Sequence, residues 1–209
     1  MGERRKGFRD EDIERYSEEL LREYMVFREK IIGENDEVKR YSLFLGFINK
    51  WFIGKDIGYM VLTGGFAVEL LCGRVYRTYD IDIITSNLSV ARVLERFLNR
   101  ISEKISRGYL PFYEEIASKS IDIVSTSYTR KKKPVEIKID DLLVYVDPPE
   151  ELIVNYLVAW KYWDSTIDRD KALWLLIVLS DKLDREYLYG RASEEGVLDK
   201  LEELISYTK

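Results

Sequence analysis

The sequence predicts a mixed α/β (α+β) chain: a small mixed β-sheet flanked by helices, with helical segments ahead of it and a helical bundle behind it. Three observations predict this. Met60 to Thr85 (MVLTGGFAVELLCGRVYRTYDIDIIT) reads as strand, glycine turn, short helix, loop and strand. Apolar residues recur at helical spacing before that stretch and again in the last third of the chain. Short strand-like pieces fill the region between. The expected organisation is a helical segment over 1–55 packed on a core over 56–147, followed by a helical region over 148–209.

Composition sets the bounds. The chain has 209 residues, 46% of them hydrophobic, enough to bury a core in one domain with a helical appendage. No run approaches the length of a membrane span, and MGERRKGFRDED lacks an apolar leader core, so a cytoplasmic protein without membrane contact is expected. The chain contains no histidine, which removes Ser-His and His-metal chemistry and leaves Asp, Glu, Lys and Tyr for acid–base or metal work. Cys72 is the single cysteine, excluding an internal disulfide. Without a histidine to activate it, it reads as a core thiol. A net charge of −5 argues against a broad nucleic-acid-coating surface, though not against a local basic groove. The 34% of charged residues, with many Ile and Tyr and no Gln, leans towards a thermophile.

In order, Asp10 to Ile32 places Ile13, Tyr16, Leu20, Leu21, Tyr24, Phe27 and Ile31 on one helical stripe, and Gly33 to Asp36 ends it. Glu37 to Phe52 gives a second helix, with Leu43, Leu45, Phe47, Ile48 and Phe52 as its core side. Plain packing accounts for both. Ile57 and Tyr59 to Leu62 form an apolar run short enough for a buried strand. Gly64 and Gly65 then allow positive φ and close approach of a ligand to the backbone. Phe66 to Leu71 follow as a helix whose N-terminal N–H groups suit a phosphate. A polar connection after Gly73 leads to Asp80-Ile81-Asp82-Ile83-Ile84. In that strand the two carboxylates share one face and the isoleucines the other. Paired carboxylates on a strand repel, and a cation between them removes the objection; oxygen ligands of this kind suit Mg²⁺. The plainer alternative is a solvated strand face or a turn.

Asn87 or Ser89 caps a helix expected to run through Ile105, with Val90, Val93, Leu94, Phe97, Leu98, Ile101 and Ile105 at helical spacing. Phe112 to Ala117 and Ser120 to Ser125 read as short strands. In the second, Asp122 stands between Ile121 and Ile123, so a neighbouring strand would bring it beside Asp80 and Asp82. Otherwise it is an outward-facing strand residue. Glu136 and Asp140 are rivals for a third acid; Glu136 alternates with Lys138, which fits an exposed strand edge. The run Arg130-Lys131-Lys132-Lys133 either steers a nucleotide or RNA acceptor or is a solvated guard on a sheet edge. Asp147 caps a helix that Pro148 and Pro149 open, with Glu150 and Glu151 in its first turn, and that runs through Trp160; another starts near Ser165 or Thr166, and the last ends at Leu204-Ile205.

The motif residues Val61, Leu62, Gly64, Gly65, Ala67, Val68, Arg77, Thr78, Asp80, Ile81, Asp82 and Ile83 resemble the signature of the polymerase-β-like nucleotidyltransferase superfamily. The match is nearest to its small prokaryotic and archaeal members of the minimal or abortive-infection toxin-like type. Gly65 stands where many members carry serine, and Tyr156 where the family helix has lysine; Lys161, one turn on, is the substitute cation. Arg169-Asp170 resembles a family Lys-Asp pair, with Leu173 where a further acid is expected. The resemblance implies a nucleotidyltransferase fold and an enzyme that moves a nucleoside monophosphate from a nucleoside triphosphate to a hydroxyl on an RNA end such as tRNA, a protein or a small molecule, in a toxin–antitoxin-like setting. It implies Asp80, Asp82 and Asp122 as catalytic ligands of Mg²⁺ or Mn²⁺. It also implies nucleotide contacts at Thr63, Gly64, Gly65, Arg77, Thr78 and Lys161, with Arg77 equally readable as a structural ion pair. A helical partner protein or a homodimer belongs to the same expectation. The contrasting reading is a degenerate fold kept to bind nucleotide, RNA or a partner protein.

Overall fold

The computed structural model describes residues 8–73 and 77–208. The polar connection expected after Gly73 falls partly on residues 74–76, and most of the N-terminal stretch MGERRKGFRDED on residues 1–7, outside the described residues. The chain is mixed α/β and divides into two compact units. Of the described residues, one unit comprises 8–66, 78–129 and 135–146; the other comprises 67–73, 77, 130–134 and 147–208.

The first unit is built on a seven-stranded mixed sheet. Helices α1 (Asp10–Ile32) and α2 (Glu37–Gly54) precede strand β1 (Met60–Thr63), and α3 (Gly64–Cys72) begins at the glycine turn. Then come β2 (Asp80–Thr85), α4 (Leu88–Ile101), β3 (Ser102–Ile105), β4 (Gly108–Pro111), β5 (Ser120–Ser125), β6 (Val135–Ile139) and β7 (Leu142–Val146). The strand order is β3-β4-β5-β2-β1-β7-β6. Strand β2 lies at the centre, antiparallel to β1 and parallel to β5. Strand β6 is an edge, and on it Glu136 and Lys138 are exposed, as their alternation suggests.

One face of the sheet is apolar. Leu62, Ile81, Ile83, Ile121 and Val144 are buried there, and Leu45 and Asn49 of α2 lie against Met60, Leu62, Ile83 and Val144. The Asn49 side chain accepts from the Met60 N–H at 3.0 Å, fixing the helix to the first residue of β1. Tyr24 of α1 knits the helical layer, its ring meeting Phe44 and Phe97 edge-on, each at 5.5 Å. Because strand side chains alternate, burying Ile81 and Ile83 turns Asp80 and Asp82 to the opposite face.

Two sequence expectations are corrected. Helix α4, capped by Asn87 as expected (Val90 N–H to its side chain, 3.0 Å), ends at Ile101 and not Ile105. Residues 102–105 turn extended and pair with 108–111 through a two-residue turn in which Ser106 is left-handed (φ 56°). Ile105, in phase with the helical stripe, is 48% exposed on this hairpin. Residues 112–117 form no strand. They bend through one turn of 3₁₀ helix at Glu114–Ile116, because long-range partners capture them. Arg28 of α1 pairs with the Glu115 carboxylate through two nitrogens, and the Tyr41 hydroxyl donates to the Ile116 carbonyl at 2.7 Å. Local alternation carries no trace of these partners.

The second unit is helical: α5 (Pro149–Trp163), α6 (Thr166–Val178), α7 (Arg185–Glu194) and α8 (Leu198–Ser206) enclose Leu152, Ile153, Leu157, Ala172, Leu175, Leu188, Leu201 and Leu204. The α5 cap position is Pro148, with Pro149 at the first helical residue; Asp147 is fully buried instead of capping. Glu150 and Glu151 are buried as well. The basic run meets them: Arg130 pairs with Asp147 at 3.2 Å, Lys132 with Glu150 at 2.8 Å, and Lys131 with Glu194 at 2.6 Å. Arg191 and the Tyr187 hydroxyl complete the Glu151 carboxylate, and burial together with that contact pushes the Tyr187 phenol up to about 12. Such pairing is what makes buried carboxylates tolerable. Among the described residues no helix is long and apolar enough to cross a membrane.

The Arg28–Glu115 pair gives a pH prediction. Burial works to raise the Glu115 carboxyl, but the Arg28 hydrogen bond and charge carry it below the ordinary 4.5. A depressed folded value means stability present above 4.5 and lost as pH falls through the folded value. Glu115→Gln is therefore expected to cost about 1–3 kcal/mol at neutral pH. In urea unfolding the gap from wild type closes as pH drops below the glutamate range. A gap independent of pH contradicts the pair.

Candidate functional site

The acidic face is assembled by three strands. In the β2–β5 ladder Asp80 lies opposite Ser120 and Asp82 opposite Asp122, and in the β1–β2 ladder Thr63 lies opposite Asp82. Residues opposed in register project to the same side, so Thr63, Asp82 and Asp122 form a row across the sheet, with Asp80 and Ser120 one step away. The structure thus brings Asp122 beside Asp82. Asp140, weighed as a rival acid, lies at the turn between β6 and β7 with a left-handed backbone.

The carboxylates differ in surroundings. Asp80 is exposed, and its Oδ1 accepts from the Ser120 hydroxyl at 2.7 Å. Asp82 is half-buried and rests on the turn between β1 and α3. Gly64 there has φ 65°, and a Cβ on it would collide with the Asp82 carboxylate. Only glycine meets both demands, because left-handed backbone disfavours a side chain and the space is taken. Asp122 is 7% exposed and leans the other way, onto Gly108 of β4, where a Cβ would collide with its Oδ1. That oxygen is buried without a hydrogen-bond partner, while Oδ2 lies 3.4 Å from the Arg107 guanidinium.

These features bear on whether a divalent cation fits. The donors are carboxylate and hydroxyl oxygens, the set a hard ion such as Mg²⁺ prefers. An orphaned buried carboxylate oxygen beside a second carboxylate one strand away is the kind of vacancy in hydrogen bonding that a cation satisfies. Asp82 and Asp122 therefore fit as ligands. Among the described residues, however, no three acidic, cysteine or histidine side chains stand close enough to share one ion. Asp80 is turned to Ser120, and the other two carboxylates lean apart onto their glycines.

The remaining expected contacts are placed as follows. Thr63 is buried at the end of β1, Gly64 and Gly65 form the turn into α3, and Thr78 lies against Gly65. Arg77 is exposed. Lys161 belongs to the helical unit, where its ammonium is bonded to the Gly196 carbonyl at 2.8 Å and to Asp199 at 2.7 Å. Cys72 has a half-buried thiol that burial pushes up to about 11, which keeps it protonated and unreactive at neutral pH. Sequence reasoning missed Ser120, Arg107 and Gly108. Ser120 was visible as the strand residue two before Asp122. Arg107 and Gly108 sit at the β3–β4 hairpin, which helical periodicity concealed.

Fold and site together define a mixed α/β protein with an acidic row beside a glycine-initiated helix. No family model matches the sequence, and no curated protein matches it. Among solved structures, an antigenic nucleotidyltransferase-like protein from Paracoccidioides brasiliensis is similar over 68% of this chain and 76% of its own, at 14% identity and a TM-score of 0.49. The solution structure of the antibiotic-resistance factor ANT(2'')-Ia is similar over 77% of this chain and 94% of its own, at 18% identity and 0.45. The crystal structure of ANT(2")-Ia in complex with adenylyl-2"-tobramycin gives 71%, 92%, 16% and 0.46. At these scores the likeness carries nothing about substrate or chemistry.

The glycine contacts generate a test. Gly64→Ala combines left-handed strain with displacement of Asp82 and should cost about 1–2 kcal/mol or more. Gly108→Ala must push the Asp122 carboxylate off its resting place. Thermal unfolding checks the first, and Mn²⁺ affinity checks both. Wild-type stability in Gly64→Ala contradicts the described turn.

Proposed function

We propose that this chain is a divalent-metal-assisted nucleotidyltransferase, transferring a nucleoside monophosphate from a nucleoside triphosphate to a hydroxyl acceptor. The observation carrying the reading is the register over residues 80–83 that sets Asp82 opposite Asp122 on adjacent parallel strands, beside the Gly64 turn. The motif resemblance over residues 61–83 supports it.

In this reading Asp82 and Asp122, with Asp80 beside them on β2, would hold Mg²⁺ or Mn²⁺, which would supply Lewis-acid polarisation of the phosphoryl oxygens. The N–H groups of Gly64 and Gly65, at the N-terminus of α3, receive the triphosphate. Thr63, Thr78 and Arg77 add hydrogen bonds and charge to it. Asp122 accepts the proton of the acceptor hydroxyl. The new bond forms between that oxygen and the α-phosphorus as the bond to pyrophosphate breaks. Lys161, engaged by Asp199, is left out of this set. The acceptor, whether an RNA end such as tRNA, a protein or a small molecule, and a toxin–antitoxin-like role with a helical partner remain parts of the proposal that the acidic row does not specify.

A second reading has an observation of its own. The carboxylates of Asp82 and Asp122 lean apart and Asp80 is bonded to Ser120, an arrangement that also suits a fold retained for binding alone. One experiment separates the two: incubation with labelled triphosphates, total RNA and Mg²⁺ or Mn²⁺, with triphosphate binding measured in parallel. The enzyme reading expects label transfer that falls by about 10²-fold or more in Asp82→Ala and in Asp122→Ala. Transfer undiminished in both variants overturns the site. Triphosphate binding with no transfer by the wild type selects the binding module.

A further inference from the structure

Lys119 is among the most completely buried side chains of the chain, 1% exposed, in the position just before β5. Burying an ammonium is costly unless polar partners surround it. Its ammonium donates to the carbonyl of Thr78 and lies 5.3 Å from the ring centroid of Phe66 and 6.0 Å from that of Tyr41. Those rings meet edge-on at 5.7 Å and are themselves fully buried. The Lys119 backbone N–H donates to the Tyr41 hydroxyl at 2.8 Å, as the Ser118 N–H does at 3.1 Å. A methionine or leucine would fill this space without the desolvation cost, so the charge calls for an explanation.

The three segments that Lys119 joins are those that carry the candidate site. Phe66 is the residue after the Gly64-Gly65 turn. Thr78 stands two residues before Asp80, and its side chain fills the space over Gly65, where a Cβ would come within 2.8 Å of the Thr78 hydroxyl. Ser120, next in the chain to Lys119, holds Asp80. We infer that Lys119 is the positioning residue of the site: its ammonium locks the Thr78 carbonyl against the aromatic pair and so sets the spacing between the phosphate-facing turn and the acidic strand. It touches no substrate and acts through Thr78 and Phe66. The inference deepens the nucleotidyltransferase reading and rests on it only for what the turn receives. The clamp itself is independent of any reaction.

The test pairs hydrogen exchange with ligand binding. In the wild type, the amides of residues 78–81 are expected to exchange as slowly as the interior of β2, although Tyr79 and Asp80 are exposed. Exchange at the rate of a free loop overturns the inference without any variant. In Lys119→Met, which keeps most of the length of the side chain and removes its charge, exchange over 64–66 and 78–81 should rise about tenfold relative to β7. The affinity for a non-hydrolysable triphosphate should fall about tenfold while that for Mn²⁺ alone changes little. Tyr41→Phe, which keeps the ring and removes the hydroxyl bonds to residues 116, 118 and 119, serves as the comparison for loosening without loss of the ammonium. A uniform rise in exchange across the sheet, matched by Tyr41→Phe, or an unchanged triphosphate affinity in folded Lys119→Met, overturns the positioning role. Locally raised exchange in a protein whose wild type binds no triphosphate leaves the clamp standing and removes the nucleotidyltransferase reading instead.

Discussion

Two carboxylates at one register on neighbouring strands are an electrostatic liability, and the centre of this sheet is built with one. Strand spacing puts the backbones of Asp82 and Asp122 about 4.8 Å apart, where like charges repel and Asp is a poor strand former besides. The register is not free to slip away from the problem. A one-residue slip of β2 would bury Asp80 and Asp82 and expose Ile81 and Ile83, both of which are 1% exposed or less. The apolar face thus enforces the acidic one. Burial of the isoleucines under the helical layer holds the carboxylates together against their repulsion.

The surroundings show how that arrangement is accommodated. Two glycines yield their side-chain space to the two carboxylates, and Ser120 holds the third. Tyr41 reaches from the helical layer to fix residues 118 and 119, and the Lys119 ammonium fixes Thr78, two residues before Asp80. The helical unit solves a related problem differently. There Asp147, Glu150 and Glu151 are buried with Arg130, Lys132 and Arg191 against them, so each charge is met by its opposite inside the protein. On the acidic face of the sheet Asp122 is met instead by Arg107, an exposed side chain of the β3–β4 hairpin.

Much of this was legible from residue order. The alternation Asp80-Ile81-Asp82-Ile83 fixes both the strand and its faces, and the Gly64-Gly65 break fixes where α3 starts. The repeat of apolar–acid–apolar at Asp122 anticipates its neighbour. What was not legible depends on long-range partners. Residues 102–105 continue a helical stripe, and only their pairing with β4 pulls them out of it. The bend at 112–117 is imposed by Arg28 and Tyr41, more than seventy residues away in sequence. The basic run at 130–133 reads as a solvated tip or a steering patch until the acids that neutralise Arg130, Lys131 and Lys132 are seen. Lys119 gives no signal at all in a sequence where lysine is common and normally exposed.

The central claim is that Asp82 and Asp122 jointly receive a divalent cation next to the Gly64 turn. Titrating Mn²⁺ into isotope-labelled protein and following paramagnetic broadening of the amide spectrum tests it directly. The account predicts that signals of Asp82, Asp122, Gly64 and Gly108 disappear first, and that Asp122→Asn shifts their loss to higher metal. Broadening that begins elsewhere, or that is indifferent to Asp122→Asn, would contradict it.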